Sequence, residues 1–297
     1  NNVQDVSLAS QFLTYKLFNK AGVPAPRVSH CKVTVNGEYL GIYSHVESVR
    51  APFIKKRYQK YSGELYEGTI SDFYPIAVEN IEAKNSYTKK NRTLSKKLAE
   101  VLETKEGFNL DEVKKYINLE KFVRFWAMES LLGFWDGYTN NQNNYYAYSN
   151  PNDQKRFHFI PWGADGAFTK DRGPFSRFGG EQDQPRSVYS QSMLANRLFQ
   201  TDEVQTLYRK TMIDILKNVV KIAIDIEAVQ ITAFNTSKRL NKMHSLVNKK
   251  HISFSELKIW SECTWRHKLA YLDGLDTYEP STYTVFGNAV HECIEQY

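Results

Sequence analysis

The sequence predicts an α+β chain, and three observations carry that expectation. Residues 7–21 (SLASQFLTYKLFNKA) set Leu8, Phe12, Tyr15, Leu17 and Phe18 near one helical face. Two pairs of strand-like runs are each joined by turn-forming residues: His30 to Val35 and Tyr39 to Val46 around Asn36-Gly37, and Asn144 to Tyr148 and Arg156 to Ile160 around Asn150-Pro151-Asn152-Asp153. Long amphipathic or apolar stretches, chiefly 119–134 and 192–247, read as helix.

Each element has a local reason. Ser7 is placed to cap the first helix and Gly22 to end it. Pro24 and Pro26 then enforce an extended link, because proline fixes its own φ and biases the residue before it away from helix. Asn36-Gly37 between alternating runs is a strong short hairpin signal, since a two-residue turn needs positive φ at both positions. Residues 84–97 hold Lys84, Lys89, Lys90, Arg92, Lys96 and Lys97 with only Tyr87 among them. Single-stranded nucleic-acid grooves interleave aromatics with basic residues, so this run reads as a solvated loop and helix start. Asp111 to Ile117 and Leu119 to Phe134 are predicted helical, the second apolar enough to be buried. Residues 172–187 are rich in Gly, Pro and polar residues and read as a mobile loop. After Lys249-Lys250 the pattern changes, which places a boundary at about 249 and divides the chain into 1–249 and 250–297.

Composition narrows the function classes. The 297 residues fit one large domain or two ordinary ones, and 41 % hydrophobic with 24 % charged residues excludes wholesale disorder. No apolar run reaches the ~18 residues a membrane helix needs. The most apolar helical stretch, Ile213 to Val229, is broken by Asp214, Lys217, Lys221, Asp225 and Glu227. The chain opens Asn1-Asn2 with no signal-peptide pattern, which reads as a possible fragment. Cys31, Cys263 and Cys293 are far apart and form no CxxC pair, which excludes a Cys-only zinc site and argues against a disulfide scaffold. The net charge of +6 is uneven: 250–297 carry −3 and 1–249 carry +9. A basic body suits an anionic ligand such as a nucleotide, or only solubility.

The residues with chemistry bracket the second hairpin. Trp135-Asp136-Gly137-Tyr138-Thr139-Asn140-Asn141-Gln142-Asn143-Asn144 precede it, and Ile160-Pro161-Trp162-Gly163-Ala164-Asp165-Gly166-Ala167-Phe168 follow it. A short hairpin returns the chain to where it began, so Asp136, Asn141 and Asp165 are expected to converge at one end of two paired strands. Phosphoryl transfer needs such a set: a base-like Asp in a loop, an Asn five residues on, and a second Asp on the divalent ion. Carboxylate and amide oxygens suit Mg²⁺ or Mn²⁺. Asp-Gly and Asn-Asn are also ordinary turn formers.

In this region the chain resembles the CotH kinase family of spore-coat-type atypical protein kinases. Ala21-Gly22-Val23-Pro24-Ala25-Pro26-Arg27 looks like the family's "lGvpaPR" link, and Val33 to Glu47 (VTVNGEYLGIYSHVE) like its "vNGxyxGxYxxxE" hairpin. Trp135-Asp136-Gly137-Tyr138 with Asn143-Asn144-Tyr145-Tyr146 looks like the catalytic loop, and Ile160 to Phe168 like the "iPWDxDxxF" metal loop. The likeness spans about 1–247. It implies a two-lobed, protein-kinase-like fold lacking its first N-lobe strands, and ATP-dependent phosphorylation of protein Ser/Thr. By position, Asp136 would be the catalytic Asp, Asp165 a metal ligand, and Asn141 or Asn144 the second one. Glu47 would sit near the hinge and the nucleotide, or be an ordinary strand-end Glu. Gly163 departs from the two-Asp form of the metal loop. The preceding strands, the glycine loop and the phosphate-binding Lys or Arg would lie upstream of Asn1.

Residues 251–297 resemble the start of a RecB-like PD-(D/E)XK nuclease, through His251-Ile252-Ser253-Phe254-Ser255-Glu256-Leu257, Cys263, Trp265 and the Gly287 to His291 segment. That resemblance implies a partial α/β nuclease segment, with DNA as a partner and His291 beside a metal; His291 is otherwise an ordinary helix residue, and Cys263 reads as a buried thiol. The nuclease Asp and Glu-x-Lys would lie past Tyr297. Three functions therefore stand at this level: a CotH-like kinase using ATP with Mg²⁺ or Mn²⁺, a nuclease acting on DNA, and a non-catalytic, pseudokinase-like binding module. No membrane partner is expected. The compartment stays open, with the cytoplasm favoured and an exported or coat-associated place possible.

Overall fold

The computed structural model describes Asp5, residues 8–103, 107–168 and 188–220. The expectations for 172–187, for 221–247, for Cys263, for His291 and for the boundary at 249 lie outside the described residues.

The first helix, α1, runs Ser10–Lys20. It begins later than residue 7: its N-cap position is Ala9, and the Asp5 carboxylate accepts the Ser10 N–H at 2.8 Å. Beyond α1 the Asn19 carboxamide both donates to and accepts from the Ala25 backbone at 3.0 Å, which pins the two-proline link. Strands β1 (Val28–Val35) and β2 (Glu38–Val46) form a two-stranded antiparallel hairpin. Asn36 and Gly37 both have positive φ, as the two-residue turn requires.

Helix α2 (Ala51–Tyr58) leads to β3 (Leu65–Gly68) and β4 (Glu82–Ala83). Then come α3 (Ser86–Lys90) and α4 (Thr93–Glu103). In the basic run Lys89, Lys90, Lys96 and Lys97 are exposed, as a solvated run should be, but Lys84 is half-buried against Glu67 and Glu82, Arg92 lies over the Tyr66 ring, and 86–90 is helix and not loop. Helix α5 is short (Leu110–Lys114), while α6 (Leu119–Leu131) is the buried helix the sequence predicts. A single turn, α7 (Tyr138–Asn141), precedes β5 (Tyr145–Asn150) and β6 (Arg156–Pro161). Helices α8 (Met193–Phe199) and α9 (Asp202–Ile215) follow, and α9 runs into a wide turn at Leu216–Val220.

The main sheet is antiparallel in the order β4-β3-β5-β6. Successive side chains of a strand point to opposite faces, and both faces of β5 are covered. Tyr145 and Ala147 enter the large core with Phe122, Trp126 and Phe159. Tyr146 and Tyr148 enter a second core with Phe53, Ile54 and Ile160. Two-sided burial is why β5 reads as an unbroken aromatic run and not as an alternation. In the large core Phe122 meets Phe159 at 4.9 Å and Trp126 meets Tyr208 at 4.7 Å between ring centroids. Each fully buried aromatic of this kind contributes roughly 1.5–3 kcal/mol. Together they join α6 to α9 and to β6 of the sheet. No described helix is long and apolar enough to cross a membrane.

Candidate active site

The loop between α6 and β5 is built around one carboxylate. Asp136 Oδ1 accepts from Asn141 Nδ2 at 2.6 Å and from Asn143 Nδ2 at 3.0 Å. Asn144 Nδ2 donates to Asp136 Oδ2 at 2.8 Å and to its backbone oxygen at 3.1 Å. The five-residue spacing therefore brings Asp136 and Asn141 together because α7 turns the chain between them. Gln142 and Asn144 both lie at positive φ, a conformation Asn adopts at low cost.

A second buried acid fixes that turn. Glu129 is fully buried on α6, and its carboxylate accepts the Tyr138 N–H at 3.0 Å, the Thr139 N–H at 2.8 Å and the Thr139 hydroxyl at 2.6 Å. These donors are among those a helix leaves unpaired at its start. Burial pushes the Glu129 carboxyl up to about 7 against the opposing pull of those hydrogen bonds. Gly137 is required here: a Cβ at that position would strike the Glu129 carboxylate. Asp72, also buried, accepts from the Tyr138 hydroxyl and the Phe73 N–H, each at 2.7 Å, and from the Met193 N–H at 2.6 Å. Burial raises its pKa too, opposed by those three donors.

Asp165 lies in a short turn, Ala164–Gly166, just past β6. The Trp162 N–H donates to the Asn144 backbone oxygen at 3.0 Å, closing the second loop onto the first. Burial raises the Asp165 pKa, and the negative charges of Asp136 and Asp5 raise it further. Asp136 and Asp165 thus share an electrostatic neighbourhood, to which the Asp5 charge also belongs. Tyr15 of α1 is buried against this turn. Its hydroxyl lies near the Gly163 and Ala164 amides without a well-formed hydrogen bond among the described residues. Burial, followed by the Asp165 charge, raises its pKa.

Gly163 takes φ +51, and a Cβ there would collide with the Asn144 carboxamide. The space next to position 163 is filled by Asn144. The donor set fits a hard divalent cation. Two half-buried carboxylates that repel one another are relieved by positive charge between them, and each Asn that gives its nitrogen to Asp136 keeps an amide oxygen. Among the described residues no three His, Cys, Asp or Glu side chains gather as a metal site, so an ion there would take one or two carboxylates, completed by amide, water or phosphate oxygens.

Glu47 stands at the base of the β1–β2 hairpin. Its carboxylate is held by Arg27 Nη2 at 2.9 Å and Arg57 Nη2 at 2.8 Å. Burial opposes ionisation there, but the two arginines outweigh it and hold the carboxyl below its ordinary range. Two grooves open elsewhere, on the α6–α9 side; one is about 340 Å³ and lined by Lys121, Arg124 and His158, and neither is lined by Asp136 or Asp165.

Sequence reasoning did not single out Glu129 or Asp72, and it gave Tyr15 only a place on a helical face and Asn143 only a place in the loop motif. Glu129 did leave a signal, as the one acid on the buried side of an aromatic-rich helix. Asp72 left none, since its partners are distant in sequence.

The family model for CotH kinase protein matches residues 1–256. The chain belongs to the CotH kinase family. Membership carries a kinase-like function. The model for the PD-(D/E)XK nuclease superfamily matches residues 251–297. No curated protein matches the chain.

Proposed function

We propose that residues 1–249 catalyse phosphoryl transfer from ATP to Ser or Thr hydroxyls of a protein substrate. The observation that carries this reading is the Asp136 carboxylate held by three Asn amides, in a loop that the Trp162 N–H to Asn144 O bond joins to the loop bearing Asp165. ATP would supply the phosphoryl group, and Mg²⁺ or Mn²⁺ would neutralise charge developing on it. Asp165, with Asn141 or Asn144, would hold the metal. Asp136 would orient the acceptor hydroxyl and take its proton, since a carboxylate bonded by three amides still has a free lone pair. Asn141, Asn143 and Asn144 keep that carboxylate in one orientation, and Glu129 holds the turn from which Asn141 projects. Glu47 would act indirectly, through the arginines that fix the hairpin on the nucleotide side.

The test is Mg²⁺-dependent transfer of labelled phosphate to protein by the parent, Asp136→Asn and Asp165→Asn. Both variants should lose at least ~100-fold in rate, the scale of removing one preorganised charge from a transition state. Undiminished transfer by Asp165→Asn refutes the assignment. Gly163 favours a second reading, a non-catalytic nucleotide-binding module. ATP binding without turnover in the parent would select it. For residues 251–297 the nuclease likeness makes DNA a further candidate partner, with His291 as a candidate near a metal.

A further inference from the structure

We propose that the loop at residues 69–77 is a docking platform for the peptide that carries the acceptor hydroxyl, and that Ile70, Tyr74 and Ile76 select an aliphatic side chain beside that hydroxyl. The inference rests on the phosphoryl-transfer reading of the neighbouring site. The loop, Thr69-Ile70-Ser71-Asp72-Phe73-Tyr74-Pro75-Ile76-Ala77, is bolted to the catalytic loop from beneath. The Ser71 N–H donates to Gln142 O at 2.9 Å, and the Tyr145 hydroxyl donates to Ser71 O at 2.9 Å. Asp72 holds Tyr138, and the buried Phe73 ring packs edge-on to Tyr138. With Asp72 and Phe73 facing inward, the loop turns apolar groups outward. Ile70 is 76 % exposed, Ile76 92 % and Tyr74 40 %.

Single exposed apolar residues need no explanation. Two features set this loop apart. Ile70 has φ +44, a conformation that a β-branched residue adopts only under strain. Folding thus gains nothing from an isoleucine there: its backbone is strained and its side chain meets water. Further, Ile70 is wired to the reacting centre. Its N–H donates to Asn143 Oδ1 at 3.2 Å, and the same amide donates to Asp136 at 3.0 Å. One amide joins the two bonds, which puts the Ile70 backbone within about 8 Å of the Asp136 oxygen, or two to three residues of extended peptide.

The occupant follows from charge. The only ionisable side chain in 69–77 besides tyrosine is Asp72, and it is buried. The exposed side chains of this segment therefore offer no charge of their own, and burial of apolar surface is the attraction they have to give. A second exposed apolar group, Val35, Tyr39, Leu40 and Ile42, lies on the β1–β2 hairpin, and among the described residues no hydrogen bond joins it to the Asp136 loop.

The experiment uses the full chain and a set of nonapeptides with a central Ser. Each flanking position in turn is Leu, Ala, Asp or Lys. Binding is read by fluorescence polarisation without nucleotide, and phosphate transfer is read in parallel with labelled ATP. Leu at one position, two or three residues from Ser, should bind about tenfold tighter than Asp or Lys, the low end of what one apolar side chain confers. Ile70→Gly and Ile76→Ser should erase that preference. Ile70→Gly should not lower Tm, because glycine accepts φ +44, so its loss of preference is not a loss of fold. A parent without any Leu preference, or a preference that survives both substitutions, overturns the proposal. So does a parent dimer that Ile76→Ser dissociates, since the patch would then face a second copy. Preference without transfer upholds the platform and sinks the kinase reading; transfer without preference does the reverse.

Discussion

Glu129→Gln isolates the buried acid beneath the catalytic turn. The substitution keeps the side-chain length and removes the ionisation. Burial lifts the Glu129 carboxyl from its ordinary 4.5 to about 7. Between those two values the folded protein binds more protons than the unfolded chain, so stability falls as pH rises through that window. At about 1.4 kcal/mol per pH unit, the shift corresponds to roughly 3 kcal/mol, present in full below about pH 4.5 and lost by pH 7–8. Glutamine does not titrate. The difference between parent and variant therefore cancels every other titrating group. A constant offset remains: one of the three donors now on the carboxylate, at 2.6–3.0 Å, would face an amide N–H and lose its acceptor. That costs about 1–3 kcal/mol. The variant should thus be the less stable protein near pH 5 and equal or exceed the parent at pH 8. Urea unfolding of both from pH 5 to 8.5 measures the gap. A gap that stays constant across that range refutes the claim that Glu129 is ionised at a cost to the fold.

Two further outcomes test the surroundings. Gly163→Asp adds a second carboxylate to the loop that holds Asp165, but it must take φ +51 against the Asn144 carboxamide. We expect a loss of about 1–3 kcal/mol and a fall in Tm of about 5 °C; an unchanged melt would mean that Asn144 does not fill that space. Tyr138→Phe deletes the 2.7 Å hydrogen bond to the buried Asp72 and should cost about 1–3 kcal/mol in urea unfolding. No loss would show Asp72 to be indifferent to its donor.

Much of the candidate site is legible in the sequence because its signals are local. Asp136 and Asn141 are five residues apart, within reach of one helical turn, and Asp165 follows a hairpin whose turn residues announce themselves. The hairpin at Asn36-Gly37 and the buried helix at Leu119–Leu131 are legible for the same reason: turn chemistry and apolar periodicity act over a few residues. Strands β3 and β4 are not legible. Four and two residues are too short for a pattern, and β3 is a strand only because β5 pairs with it. The start of α1 at Ser10, with Asp5 bonded to that residue's N–H across a bend, is not foreseen on the local grounds that favour Ser7.

The sequence by itself determined the first helix, the two hairpins, the buried helix, the two loops that carry acids, and the kinase family, since each depends on neighbours along the chain. The tertiary structure alone decided which acids are buried and what they hold. Glu129 meets Thr139 from ten residues away, Asp72 meets Tyr138 from 66 away, and Ile70 reaches Asn143 from 73 away. A residue's protonation, strain and exposure are set by the groups that packing places around it, and packing is a property of the whole fold.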